Sequence, residues 1–152
     1  MKAEPARAER YQRLSQALKE AGLKLTPQRL VVCEVLANAQ DHPTAYEVYE
    51  RTRRARSGVS LATVYNTMKT LQGLSLISEI GSSSDGSLHY ELNPEPHLNL
   101  VCLGCKRIVD LPGPGSLDTL LLDVQRKGYE VVDTRLVIYG YCEECRKKQA
   151  QG

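Results

Sequence analysis

The sequence predicts an α+β chain built in two units, and three observations carry that reading. Four stretches of helical periodicity lead into a hairpin pattern. After Asn93, Pro94, Glu95 and Pro96 the pattern changes to strands around a single helix. Two Cys-x-x-Cys pairs, Cys102 with Cys105 and Cys142 with Cys145, both fall in that second part. The first unit is expected over residues 1–92, with 1–9 a loose charged tail. A hinge is expected at 93–96 and the second unit at 97–152.

The first helix is expected from Arg10 to Ala21, where Tyr11, Leu14, Ala17, Leu18 and Ala21 recur at helical spacing. Gly22 follows it, where tolerance of positive φ is useful. Thr26 caps a second helix that opens on Pro27 and carries Val31, Val32, Val35 and Leu36 on one face. His42-Pro43 is a break. Thr44-Ala45-Tyr46-Glu47 then reads as a capping box for a third helix to about Arg54. Ser60 caps a fourth helix, Leu61 to Gln72, and Gly73 stops it. Leu76 to Ile80 and Leu88 to Leu92 are strands joined by turn residues Gly81 to Gly86. Helices followed by a hairpin make a winged helix-turn-helix.

Beyond the hinge, Leu98 to Cys102, Arg107 to Leu111 and Glu130 to Tyr139 read as strands. Pro112 to Gly115 is a turn. Ser116 caps a helix to about Lys127 with Leu117, Leu120, Leu121 and Val124 on one face, and Gly128 ends it. Such a unit buries little surface by itself and needs a metal, a partner subunit or both.

The composition is that of a soluble globular protein, with 41% apolar and 25% charged residues. No apolar run nears the roughly 20 residues that cross a bilayer. Met1 to Arg13 is charged and lacks the apolar stretch of a signal peptide. The expected location is the cytoplasm, where five cysteines argue against a disulfide framework. A net charge of +2 says nothing about nucleic acid. Its distribution says more: Arg51, Arg53, Arg54, Arg56 and Lys69 fall between Arg51 and Ser78 without one acidic residue. Such a run is ordinarily a solvated surface; here it flanks the fourth helix.

Two residues between cysteines let both thiolates reach one tetrahedral Zn2+ from a tight turn. The four cysteines are therefore expected to form one closed structural site. A redox Cys-x-x-Cys would sit at a helix N-terminus after a strand. Here the first pair lies between strands, and the second lies before a basic tail, Arg146-Lys147-Lys148. The histidines, His42, His89 and His97, form no local metal motif with Glu91 or Asp110. Spacing leaves open whether they share a site or are polar surface. Cys33, among valines, reads as a small hydrophobe.

The stretches Leu25-Thr-Pro-Gln-Arg29, His42-Pro-Thr-Ala45, Ser60-Leu-Ala-Thr-Val-Tyr-Asn66, Cys102 to Cys105 and Ile138-Tyr-Gly-Tyr-Cys142 through Cys145 together resemble the ferric uptake regulator (Fur) family of metal-dependent bacterial repressors. They cover residues 10 to 148 in the family's order. His42-Pro-Thr-Ala, Arg107-Ile-Val-Asp110 and two complete cysteine pairs are most similar to its peroxide-responsive branch.

The resemblance implies a homodimer that binds double-stranded operator DNA, with no membrane partner, no small-molecule substrate and no enzymatic activity. It implies one structural Zn2+ per subunit and a regulatory Fe2+ or Mn2+ between the units, at His42, Glu91, His97, Asn99 and Asp110. The family usually has a histidine where this chain has Asn99, which leaves the metal preference open. Tyr65 matches the family's base-contacting tyrosine. Ser60, Thr63, Asn66, Lys69 and Arg56 complete the expected DNA face, with Lys24 or Arg29 as further phosphate contacts. The alternatives are a metal-uptake regulator without peroxide sensing, a zinc-ribbon interaction module and a thiol oxidoreductase.

Overall fold

The computed structural model describes residues 7–82, 86–92, 97–112, 116–132 and 134–152. It divides into two compact units, Met1–Pro94 and Glu95–Gly152. The expected hinge at 93–96 lies outside the described residues, as do 1–6 of the tail and parts of both glycine-containing turns. Among the described residues no helix is long and apolar enough to cross a membrane.

In the first unit the chain runs α1 (Arg7–Glu20), α2 (Pro27–Asn38), α3 (Ala45–Ala55), α4 (Leu61–Gly73), β1 (Ser78–Ser82) and β2 (Leu88–Glu91). The first helix starts earlier than its apolar spacing suggests, because Arg7, Ala8 and Glu9 are exposed, good helix formers that extend it. It ends as its sequence demands. Gly22 takes φ +82°, its N–H meets Lys19 O, and the Leu23 N–H reaches Leu18 O, closing a Schellman motif. The next three helices carry the expected caps. Thr26 Oγ1 accepts from Arg29 N at 3.3 Å, and Ser60 Oγ accepts from Thr63 N at 3.1 Å. Thr44 and Glu47 form a reciprocal capping box at 3.1 and 2.7 Å.

Leu18, Val32, Cys33, Leu36, Val48, Val64, Met68, Leu71 and Ile77 form one buried cluster that holds α1 to α4 against the hairpin. Two buried threonines intrude without leaving a polar group unpaired. Thr52 Oγ1 donates to Val48 O and Thr67 Oγ1 to Thr63 O, each at 2.7 Å. In the antiparallel hairpin Ser78 faces Glu91 and Ile80 faces His89, with a bulge between Ile80 and Ser82 where Gly81 takes φ +57°.

The second unit contains β3 (His97–Cys102), β4 (Ile108–Pro112), α5 (Ser116–Arg126), β5 (Leu136–Gly140) and α6 (Glu143–Ala150). Its sheet has the order β4-β3-β5, with β4 antiparallel and β5 parallel to the central strand. Two expectations need correction. The last strand does not begin at Glu130: β5 pairs with β3 from Leu98 opposite Leu136, and β3 itself starts at His97. Residues before Leu136 thus run past the strand that would pair with them, and Val132 is 90% exposed. The basic tail is a helix, α6. It places Glu143 and Glu144 in its first turn and Lys147 and Lys148 in its last, and Lys147 Nζ meets Glu143 Oε1 at 2.7 Å.

Cys33 is the buried residue with the clearest chemical consequence. It is fully enclosed, and burial pushes its thiol from 9.0 up to about 12. The unfolded thiol ionises first, so this contribution to stability is complete below pH 9.0 and is lost as pH rises toward about 12. In the native protein Cys33 should resist alkylation until the first unit unfolds. Denaturant melts between pH 8 and 11 should show a steeper loss of stability for the wild type than for Cys33→Ala. Rapid native-state labelling of Cys33 would contradict its placement.

Candidate metal centres and nucleic-acid interface

The strands and α6 bring the four cysteines of the second unit together. Cys102 ends β3, Cys105 follows in the turn, Cys142 caps α6, and Cys145 lies in its first turn. Backbone bonds set the first turn: Cys102 N to Arg107 O and Lys106 N to Cys102 O, both 2.9 Å. Lys106 takes φ +63° to close it. Leu103 N donates to Gly140 O at 2.7 Å, tying the turn to the end of β5.

The four Sγ atoms lie within 4.8 Å of one another. Cys105 and Cys142 are 3.9 Å apart, close to the roughly 3.8 Å expected for two thiolates sharing one tetrahedral zinc at 2.3 Å. The Cys142 N–H donates to Cys102 Sγ at 3.3 Å. Led by this bond, backbone donors bring the Cys102 thiol from 9.0 down to about 6, so it is a thiolate at neutral pH. Cys145 responds oppositely. It is pushed up to about 12, by Cys142 first and then by burial. Protein groups alone thus favour charge at Cys102 and oppose it at Cys145. A divalent cation reverses that balance, so the donor set and its spacing fit structural Zn2+.

The positional argument against a redox pair is corrected by α6, since Cys142 does sit at a helix N-terminus after a strand. Convergence of four thiols, rather than two, is what supports a metal centre. Sequence reasoning also missed Gly104. A Cβ there would stand 2.7 Å from Cys145 Sγ and 2.9 Å from its Cβ. Glycine lets α6 approach the turn, and its place inside the first Cys-x-x-Cys was the available signal.

The imidazole and carboxylate candidates fall into two groups, one in each unit. In the first, His42 Nε2 and Glu91 Oε2 are 3.1 Å apart, each side chain only 10% exposed. The loop bearing His42 is stitched to β2. Tyr90 N donates to Pro43 O at 3.0 Å, Thr44 bridges to His89, and the His89 ring Nδ1 lies 2.5 Å from His42 O as its donor. Beside it, Arg51 grips Asp41 through two bonds of 2.8 and 2.5 Å and holds that carboxyl below its ordinary range. His89, unassigned by spacing, thus positions the backbone of His42. In the second unit, Asn99 Nδ2 donates to His97 Nε2 at 3.2 Å, and His97 Nε2 lies 3.7 Å from Asp110 Oδ1. Asn99 and Asp110 are opposite residues of β3 and β4.

The fourth helix turns Val64, Thr67, Met68 and Leu71 into the core and leaves Ala62, Tyr65, Asn66 and Lys69 exposed. Ser60 is also exposed, whereas Thr63 is half-buried and its hydroxyl is engaged with Ser60 Oγ at 2.9 Å. The basic run is narrower than the sequence suggests. Arg51 is taken by Asp41, and Arg53 by Glu50 at 2.8 Å. Arg54, Arg56 and Lys69 stand exposed with no ion pair recorded among the described residues. Arg29 is half-buried and donates to Lys24 O at 2.6 Å, which leaves Lys24 the more exposed of that pair.

Fold and site together define a two-unit α+β protein, with helices and a hairpin in winged-helix order beside a thiolate metal centre. Residues 20–139 match the model of the ferric uptake regulator family, and the chain belongs to that family. It is 35% identical over 134 residues to the peroxide operon regulator of Bacillus subtilis (strain 168), covering 88% of this chain and 92% of that protein. Its fold is shared with the Helicobacter pylori ferric uptake regulator Fur, at TM-score 0.74 and 24% identity over 96% and 97% of the two chains. The ferric uptake regulator from Pseudomonas aeruginosa with manganese aligns at TM-score 0.72 and 27% identity, over 84% and 96%. Members of this family are metal-responsive transcription regulators, not enzymes, and this chain is one of them.

Gly104→Ala should disturb the metal centre with every ligand still present. Zinc release to a chromogenic chelator should speed up by at least about tenfold relative to wild type, since the new methyl must displace Cys145. Unchanged zinc retention would mean that α6 approaches the turn less closely than described.

Proposed function

We propose that the chain is a homodimeric repressor of operator DNA whose affinity is set by a regulatory Fe2+ or Mn2+, and that with Fe2+ it senses peroxide. The observation that carries this reading is the grouped donors in each unit: His42 with Glu91, both enclosed, and enclosed His97 and Asn99 with the exposed Asp110. A buried imidazole beside a carboxylate is a donor pair suited to a divalent ion. A metal that took ligands from both units would favour one arrangement of them over others. The favoured arrangement presents two copies of α4 to successive major grooves, roughly 34 to 36 Å apart.

Dimerisation is supported by the apolar residues that the second unit leaves exposed. Val109, Leu111, Ile138 and Tyr139 lie on its sheet, and Leu120 and Leu122 on α5. Strand β5 is also an edge of that sheet. DNA reading is supported by the exposed face of α4, where Tyr65 and Asn66 reach base edges while Lys69 and Arg56 contact phosphates. The setting is the cytoplasm, where the thiols stay reduced.

The peroxide branch of the proposal rests on relatives such as the Bacillus subtilis regulator. Fe2+ held there would supply the electron that peroxide takes up. His42 and His97 are the imidazoles in reach; oxygen added to either ring weakens its donor nitrogen, and the operator is released.

Electrophoretic shifts on the protein's own promoter region test the whole reading. Binding should require Mn2+ or Fe2+, and His42→Ala should abolish this metal-dependent binding. Mild peroxide should release only the iron form, with a gain of about sixteen daltons, one oxygen, on peptides holding His42 or His97. Oxidation confined to cysteines would instead indicate a thiol switch. On the DNA side, Tyr65→Ala should weaken specific binding far more than non-specific binding. Lys69→Ala should weaken both and reduce the salt slope by about one. Equal losses on both kinds of DNA for Tyr65→Ala would remove α4 from the role of reader.

A further inference from the structure

We infer that Asn99 sets the metal preference of the regulatory site, its carboxamide oxygen entering the ligand sphere and favouring Mn2+ relative to ions that prefer imidazole. The inference rests on the regulatory site proposed above and names what that site selects.

The geometry begins with the spacing of donor heads. Two atoms bound to one ion at about 2.0–2.2 Å stand roughly 2.8–3.6 Å apart, from octahedral to tetrahedral angles. Asn99 Nδ2 stands 3.2 Å from His97 Nε2, inside that range. A half-turn of the amide about its last torsion exchanges Nδ2 for Oδ1, which puts an acceptor at the same place. Asp110, opposite Asn99 across the β3–β4 ladder, brings its Oδ1 to 3.7 Å from the same imidazole nitrogen. Asn99 is only 5% exposed, so its head group is held there by the sheet and not by chance on a mobile surface.

The hydrogen bond also shows what the amide does before a metal arrives. By donating to Nε2 it occupies the lone pair that a metal would take, in the tautomer whose ring proton is on Nδ1. The imidazole is thereby oriented with its donor nitrogen toward Asn99 and Asp110. A metal at Nε2 would end this hydrogen bond, and the amide so released would offer its oxygen in place of its nitrogen.

The chemistry then gives the direction. The second unit contributes one imidazole, one carboxylate and one carboxamide, a set richer in oxygen than in nitrogen. Carbonyl and carboxylate oxygens suit Mn2+, while imidazole suits Zn2+, Fe2+ and their neighbours. Absolute affinities still follow the order in which Mn2+ is weakest, so what Asn99 changes is the gap between metals. A purely structural asparagine that only satisfied His97 would leave that gap untouched.

The test uses the full-length dimer with its cysteine site zinc-loaded, and compares wild type with Asn99→His, Asn99→Asp, Asn99→Ala and His42→Ala. Mn2+ binding is read from the loss of its free-ion paramagnetic resonance signal, and Co2+ binding from its visible ligand-field absorption. Asn99→His should tighten Co2+ by at least about tenfold and Mn2+ by less than about threefold. Asn99→Asp, nearly the same size and a hard anionic donor, should tighten Mn2+ more than Co2+, and it serves where the histidine variant folds poorly. Asn99→Ala should weaken Mn2+ binding. Equal factors for both metals in the histidine and aspartate variants, or unchanged affinities in Asn99→Ala, would overturn the assignment alone, provided that His42→Ala still weakens binding. Mn2+ binding indifferent to His42→Ala would overturn the regulatory site as well.

Discussion

Four sulfur atoms within 4.8 Å of one another cannot all carry charge unless a cation sits among them. The second unit is organised around that constraint. Its backbone donors stabilise a thiolate at Cys102, while the crowd of neighbours holds Cys145 protonated until very high pH. Everything that locates the cluster is short-range: the Leu103 bond to Gly140, the left-handed Lys106, the missing side chain at Gly104, and Cys142 at the head of α6. The three-stranded sheet has little apolar cover of its own, with Ile138, Tyr139 and Val109 exposed. A metal that pins the ends of β3 and β5 to α6 supplies the cohesion that so small a core lacks.

The first unit achieves its cohesion differently, through a fully enclosed apolar cluster and capped helices. His42 and Glu91 lie at the edge of this unit, outside the cluster. The His42 loop is laced to β2 by Tyr90, Thr44 and His89, and immediately afterwards Thr44 caps α3. Helix α3 packs on α4. The His42 loop, α3 and α4 are thus joined as one continuously packed support.

The same economy appears in the charges. Of the basic residues beside α4, Arg51 braces the His42 loop through Asp41, and Arg53 answers Glu50 on its own helix. Arg56 and Lys69 remain outward. Surface pairs of this kind contribute little stability; the bidentate one at Asp41 earns its interest by fixing the chain beside a candidate ligand.

The sequence by itself determined the local structure of the first unit. Caps at Thr26, Thr44 and Ser60, the stop at Gly22 and the apolar faces of α2 and α4 are all set by residues within a turn or two of one another, and short-range chemistry can be read from short-range order. The pairing of cysteines was legible for the same reason. Other features depended on partners distant in sequence. The start of β5 is set by where β3 begins, which Glu130 to Arg135 do not reveal. Helix α6 was obscured because a run of charges reads as a tail until its acidic start and basic end are weighed as a dipole pattern. Gly104 matters only because Cys145 arrives above it. The grouping of Asn99 with His97 and Asp110, and of His89 with the carbonyl of His42, follows from strand register and from a bridge across 47 residues. Tertiary structure alone decides such meetings, because it converts separation along the chain into hydrogen-bond distance.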